Sequence, residues 1–221
     1  MSSGAIIFDL DGVLIDSEAL QYKAYSQVLA GFGVTVSSAE YAAHWIAAGR
    51  GPEYAVATYG LPVNPADLRA LKNPVYHAIL RSEVTLMPAV IAALTRLHAH
   101  FPLAVATNSN QQDVAFVMEH FGLRRFFAAT VTREDYAEAK PHPDAFLTAA
   151  ARLGVTPRAC LVVEDAYKGI VAAHRAGAIP VAIPNAFTRH NDFSLAAVVL
   201  HGLDELTIAL VERLVTAGER R

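Results

Sequence analysis

The sequence predicts an α/β protein: a doubly wound parallel sheet with an all-helical cap inserted after the first strand. Three observations predict it. Four short apolar runs, at residues 5–8, 103–106, 161–163 and 180–183, lack the alternation of a half-solvated strand and read as strands buried on both faces. Helical stretches separate the later runs, at 88–100, 113–121, 143–153 and 168–176, so the order is that of βα units. The stretch 17–85 keeps helical periodicity but offers no buried strand.

Taken in order, the run at 5–8 opens the core and ends in Asp9-Leu10-Asp11-Gly12. The insertion follows, with turns expected near 31–38, 49–52 and 60–65, where Gly, Pro and Ser gather. Pro88 then restarts the core as a first-turn helical proline. Gly122, Gly154 and Gly177 each close a helical pattern, and 198–200 adds a late strand. The expected division is therefore a Rossmann-like catalytic core, 1–16 and 86–221, and a helical cap domain, 17–85.

Composition narrows the function. The 221 residues carry a formal net charge of -3, with 53% hydrophobic and 18% charged residues, which suits a globular protein with a sizeable core. Four lysines, Lys23, Lys72, Lys140 and Lys168, give no basic stripe for a nucleic-acid backbone. The single cysteine, Cys160, excludes an intramolecular disulfide and any CxxC zinc site. No apolar stretch nears the ~20 residues of a spanning helix and no signal-peptide pattern opens the chain, so a cytoplasmic monomer with no membrane or nucleic-acid partner is expected. None of the nine histidines forms HExxH, and none is assigned a metal.

Open parallel sheets bind ligands at the carboxyl ends of their strands. Three of the runs end in polar residues there: Asp9 and Asp11, then Thr107-Asn108-Ser109, then Glu164-Asp165, with Lys140-Pro141 before a helix. Asp9 and Asp11, two apart, share one side of an extended chain. Their repulsion with Glu164-Asp165 implies a hard divalent cation, and magnesium suits Asp9 and Asp165 as direct ligands. Thr107 can donate to a phosphoryl oxygen and Lys140 supplies a point charge. Asp9 is then placed for in-line attack on phosphorus, forming an aspartyl-phosphate. Taken singly, these residues read as a solvated turn, a capping hydroxyl and a surface lysine; their order reverses that reading.

Asp9-Leu10-Asp11-Gly12-Val13-Leu14-Ile15-Asp16-Ser17 resembles the first motif of the haloacid dehalogenase-like hydrolases, and Thr107, Lys140 and Glu164-Asp165 match the second, third and fourth motifs in order. The insertion resembles the cap of the subgroup containing β-phosphoglucomutase and many sugar-phosphate phosphatases. The resemblance implies Asp9 as nucleophile and metal ligand, and Asp11 as general acid and base with its backbone carbonyl on magnesium. It implies Asp165 as a ligand, Glu164 as a nearby or additional one, and Thr107, Asn108 and Lys140 as holders of the phosphoryl oxygens. Gly12 and Val13 would belong to a closing loop, and Arg50 matches a cap arginine that meets a distal phosphate in the mutase.

Asp11 separates the reaction classes. Alcohol departure needs a proton and halide departure does not, and the family's dehalogenases lack this second Asp, so phosphoryl transfer is expected. Lys23 and Lys72 match no Schiff-base motif, which disfavours carbon–phosphorus cleavage. Ile46 and Ala47 stand where the mutase-like pattern has Lys and Gly, which favours a phosphatase of small phosphomonoesters, sugar or sugar-acid phosphates, over a β-phosphoglucomutase-like isomerase. A receiver-like phosphorylated signalling domain shares the Asp, Thr and Lys, but Asp11 and the large insertion speak against it. Ser17 is left between helix N-cap and closing-loop residue, and Tyr22, Tyr25, Trp45 and Tyr54 are expected to pack rather than line a site.

Overall fold

The computed structural model describes residues 4–47 and 49–219, so the outermost residues of the expected core segments, 1–3 and 220–221, lie outside it. Six parallel strands form one sheet in the order β3-β2-β1-β4-β5-β6. They are β1 (Ala5–Phe8), β2 (Leu103–Ala106), β3 (Ala129–Val131), β4 (Cys160–Glu164), β5 (Ile179–Ala182) and β6 (Val198–Val199). Every residue of β1, β2, β4 and β5 is buried, which is why those strands read as unbroken apolar runs. β3 was not anticipated. It has only three residues, with the polar Thr130 in the middle and Ala129 and Thr130 half-buried, too short a pattern to stand out as a strand.

The helices of the insertion are α1 (Glu18–Ala30), α2 (Ser38–Tyr41), α3 (Gly51–Tyr59) and α4 (Pro65–Glu83), with a π-helical turn at Ala42–Ala47 continuing α2. Ser37 caps α2 by accepting from the Glu40 amide, and Asn64 caps α4 by accepting from the Asp67 amide, with Pro65 in the first turn. Ser17 precedes α1 and is fully buried, but its side chain makes no capping bond. These helices form one compact unit, 16–85, joined by 186–191; the rest of the chain, 1–15, 86–185 and 192–221, forms the other.

The helical unit has its own core of Tyr25, Leu29, Val36, Tyr41, Trp45 and Leu68, against which Tyr22, Tyr54 and Phe187 pack. Tyr41 and Trp45 stack at 5.5 Å. The four aromatic residues singled out in the sequence thus serve packing. Lys72 is buried among them. Its Nζ donates to Gln21 Oε1 at 2.8 Å and lies 4.7 Å and 5.3 Å from the ring centroids of Tyr76 and Tyr25.

The remaining helices belong to the sheet-bearing unit: α5 (Val90–His98), α6 (Gln111–His120), α7 (Asp144–Leu153), α8 (Tyr167–Arg175) and α9 (Ile208–Glu219). Pro88 does not sit in the first turn of α5. The chain reverses at Ala89, whose φ of 62° is left-handed, and the helix begins at Val90. Gly122, Gly154 and Gly177 all adopt positive φ at or just past helix ends, as the sequence predicted. Among the described residues, no helix is long and apolar enough to cross a membrane.

Small side chains bring α7 close to the sheet. Ala145, Phe146, Ala149 and Ala150 of α7 meet Ile7, Ala104, Ala106 and Val131 in a cluster that also holds Ala172, Ala173 and Cys160. Burial pushes the Cys160 thiol up to about 11, leaving it an unreactive packing group. Because alanine fills this interface, added volume has nowhere to go. Ala149→Leu should lower stability by about 2 kcal/mol through overpacking. Leu147→Ala, on the exposed side of α7 at 41% exposure, should stay within about 0.5 kcal/mol. Urea titration of both variants checks the contrast.

Candidate active site

Parallel pairing sets Phe8 level with Val105 of β2 and Val163 of β4. The Asp9 amide donates to the Val163 carbonyl at 2.9 Å, so one last ladder bond fixes Asp9 beside Glu164, the final residue of β4. This lies where the strand order reverses, between β1 and β4, at the carboxyl edge of the sheet.

Asp9 and Glu164 are buried, and two carboxylates so placed repel. Lys140 answers both. Its Nζ donates to Asp9 Oδ1 at 2.7 Å, Glu164 Oε1 at 2.7 Å and the Ala106 carbonyl at 2.8 Å, so all three ammonium protons have acceptors. The Lys140–Pro141 peptide is cis. Burial pushes the Asp9 carboxyl up to about 7; Lys140 opposes the rise, while Glu164 and Asp11 add to it. Burial also works against the Lys140 charge, but Asp9 and Glu164 outweigh it and hold the ammonium above its ordinary pKa.

Two glycines make room for the acidic groups. A Cβ on Gly169, in α8, would lie 1.8 Å from Glu164 Cδ. A Cβ on Gly12, whose φ is +75°, would lie 2.4 Å from Asp165 Oδ2. Asn185 donates to that same Asp165 oxygen at 2.7 Å. Asp9, Glu164 and Asp165 each offer an oxygen, all within 4.8 Å of one another. Asp9 and Asp165, hard carboxylate donors with Glu164 beside them, fit a magnesium-type cation by their chemistry.

Asp11 reaches the edge differently from the sequence expectation. The chain bends at Leu10 and residues 10–15 fold back on themselves, with Leu14 and Ile15 amides donating to the Leu10 carbonyl. Asp9 and Asp11 are therefore brought together by a loop rather than by alternation along an extended strand. Asp11 Oδ2 accepts from Thr107 Oγ1 at 3.1 Å and from Ser109 Oγ at 2.5 Å. Asn108 Oδ1 lies 2.7 Å from the Tyr136 hydroxyl and accepts the Lys140 amide at 3.2 Å, which ties the loop after β2 to the lysine.

The structure thus gathers Asp9, Asp11, Thr107, Asn108, Lys140, Glu164 and Asp165 at one edge of one unit. Ser109, Tyr136, Gly169 and Asn185 join them and were not singled out as site residues. Ser109 had a signal, its place in the strand-end run Thr107-Asn108-Ser109, whereas the other three lie at unrelated positions in helices and loops. Arg50 belongs to the helical unit and is exposed. Its Nη2 lies 3.2 Å from His44 Nδ1, and since a guanidinium only donates, that nitrogen is the acceptor. His44 stacks on Tyr54 at 4.0 Å, and Tyr54 donates to Glu40 at 3.0 Å.

Comparison with known proteins gives a consistent result. Residues 6–183 match the haloacid dehalogenase-like hydrolase family. The fructose-1-phosphate phosphatase YqaB of Escherichia coli is 34% identical over 177 residues, spanning 78% of this chain and 92% of that protein. Hexitol phosphatase B of the same organism is 33% identical over 209 residues, spanning 92% and 94%. The crystal structure of CbbY from Rhodobacter sphaeroides in complex with phosphate superposes with a TM-score of 0.79 at 28% identity, over 95% of this chain and 99% of that one.

The lysine bridge makes a stability prediction with a definite sign. Lys140→Met leaves Asp9 and Glu164 facing each other without a cation, which should cost about 3 kcal/mol at pH 7. Removing the ammonium takes away the charge that opposes the burial-driven rise of the Asp9 carboxyl, already held near 7, so Asp9 rises further and the folded state favours its protonated form more strongly. The deficit relative to wild type should therefore shrink as pH falls from about 9 toward about 6, below which Asp9 is protonated in both folded proteins. Denaturant melts of both proteins at pH 6, 7, 8 and 9 measure this; a constant deficit would contradict the bridge.

Proposed function

The chain belongs to the haloacid dehalogenase-like hydrolases as a phosphoric monoester hydrolase, and we propose that it hydrolyses sugar or sugar-acid phosphates through an aspartyl-phosphate on Asp9, with magnesium, as a cytoplasmic monomer. The observation that carries the reading is the Lys140 ammonium shared by Asp9 and Glu164 at the strand crossover, with Asp11 and Thr107 beside it. The names of YqaB and hexitol phosphatase B support the sugar-phosphate class.

In this reading Asp9 attacks phosphorus, and Lys140, Thr107 and Asn108 hold the phosphoryl oxygens as charge shifts toward the leaving group. Asp11 protonates the departing alcohol and then takes a proton from the water that releases phosphate. Asp9, Asp165 and the Asp11 backbone carbonyl would hold the magnesium. Both Glu164 oxygens already accept from the protein, one from Lys140 and one from the Asp165 amide, so Glu164 acts chiefly by anchoring the lysine. When bound, the cation neutralises phosphoryl charge and lowers the repulsion between Asp9 and its substrate. Arg50 is proposed to meet the leaving group or a distal anionic group of the sugar.

Asp9→Asn should lower phosphate release by about a thousandfold or more, because an amide is no nucleophile. A panel of sugar phosphates and phosphoglycolate, assayed for free phosphate and for isomerised sugar, tests the substrate class; isomerised sugar as the main product would replace the phosphatase reading with a mutase. A second prediction concerns pH. With Asp9 held near 7 by burial, a divalent cation must displace its proton, so magnesium affinity should rise between about pH 6 and 8 and then level off. Calorimetry in buffers of different ionisation enthalpy would detect the released proton, and affinity independent of pH would contradict this assignment.

A further inference from the structure

Thr107 cannot serve both partners assigned to it. A hydroxyl has one proton, and Thr107 Oγ1 spends it on Asp11 Oδ2 at 3.1 Å while its oxygen accepts the Ser109 amide at 3.0 Å. The proposed chemistry asks for that same proton at a phosphoryl oxygen. When Thr107 turns to the phosphoryl group, Asp11 Oδ2 loses that donor. Ser109 Oγ, 2.5 Å away, donates to the same oxygen and does not depend on the Thr107 proton.

We propose that Ser109 is the positioning residue that keeps Asp11 aimed for proton transfer once Thr107 has turned to the substrate; this rests on the aspartyl-phosphate reading above. Ser109 and Thr107 leave β2 on the same short loop, and the Ser109 amide bond to Thr107 Oγ1 holds the two hydroxyls side by side. The hydroxyl donating to Oδ2 fixes the orientation of the carboxyl group and leaves Oδ1 turned away from that bond. Oδ1 is then the oxygen that exchanges protons, and Oδ2 is the oxygen that fixes the group.

The proton balance follows. In the first half-reaction an Asp9 oxygen bonds to phosphorus as the bond from phosphorus to the ester oxygen breaks, and the Oδ1 proton of Asp11 passes to that oxygen, releasing a neutral alcohol. In the second, water bonds to phosphorus, the bond from phosphorus to Asp9 breaks, and a water proton returns to Asp11 as phosphate leaves. The Ser109 proton stays on Ser109 throughout, so its contribution is geometric.

The dependence on the leaving group tests this. p-Nitrophenolate departs without help, whereas a sugar alkoxide needs the acid. Rapid mixing should resolve release of the alcohol or phenol from release of phosphate, using p-nitrophenyl phosphate and the sugar phosphate that wild type turns over best. Ser109→Ala should lose about ten- to a hundredfold more in the alcohol-release step on the sugar phosphate than in phenol release, with Ser109→Thr recovering most of the difference. Melting temperatures of the variants separate misfolding from misplacement. Equal losses on both substrates, or none, would overturn the role of Ser109 while leaving the function intact. The Asp11→Asn variant keeps the two questions apart: no leaving-group dependence there, or no turnover of any sugar phosphate by wild type, would overturn the underlying reading and the Ser109 role with it.

Discussion

Two buried carboxylates at adjacent strand ends are an electrostatic liability, and the fold of the sheet-bearing unit is arranged around the one ammonium that makes them tolerable. Lys140 meets Asp9, Glu164 and the Ala106 carbonyl with its three protons, joining the ends of β1, β2 and β4. A buried ion pair of this kind contributes little net stability, because desolvation offsets the attraction, but it costs much if one partner is lost. Its value is positional. The lysine holds Asp9 and Glu164 at fixed places where alternative packings would leave charge unpaired.

The neighbouring structure can be understood from that constraint. Charges can gather here because parallel strands end together at a crossover, where backbone groups run out of ladder partners and side chains take over. The acidic side chains need space beside the backbone, and Gly169 and Gly12 supply it where any Cβ would collide with Glu164 or Asp165. Asn185 and Tyr136 add fixed donors, one to Asp165 and one to the loop carrying Thr107 and Asn108. Beneath the charges lies a floor of alanines on α7 and the strands, tightly packed and without polar atoms to compete. Rigid packing below and dense hydrogen bonding above hold the backbone and the carboxylates in place.

The helical unit follows other physics. Aromatic rings dominate its interior, with Tyr22, Tyr25, Tyr41 and Trp45 in mutual contact. Its buried lysine, Lys72, donates to an amide oxygen and lies over the faces of two tyrosine rings. Lys72 and Lys140 are alike in the sequence, and only the tertiary structure sets one among tyrosine rings and the other between two strand-end carboxylates.

Local sequence determined the buried strands at 5–8 and 103–106, the helix-ending glycines and the all-helical insertion, because apolar runs and helical periodicity are short-range properties. It also determined which chemistry was available, since acidic, hydroxyl and lysine residues stand at predictable strand ends. Tertiary structure alone decided how they meet. The bond from Lys140 to Asp9 joins residues 131 apart in the chain, and no local pattern states that distance. β3 escaped notice because three residues interrupted by Thr130 make no pattern of their own, and only pairing with β2 makes that segment a strand. The same holds for 186–191, which packs with helices encoded more than a hundred residues earlier. The bend at Leu10, which sends Asp9 to Lys140 and Asp11 to Thr107 and Ser109, arises from backbone bonds that fold residues 10–15 back on themselves. Periodicity tells which residues are buried; which buried groups touch is settled by pairing across the sheet, where the entropy of closing long loops is repaid only by the assembled whole.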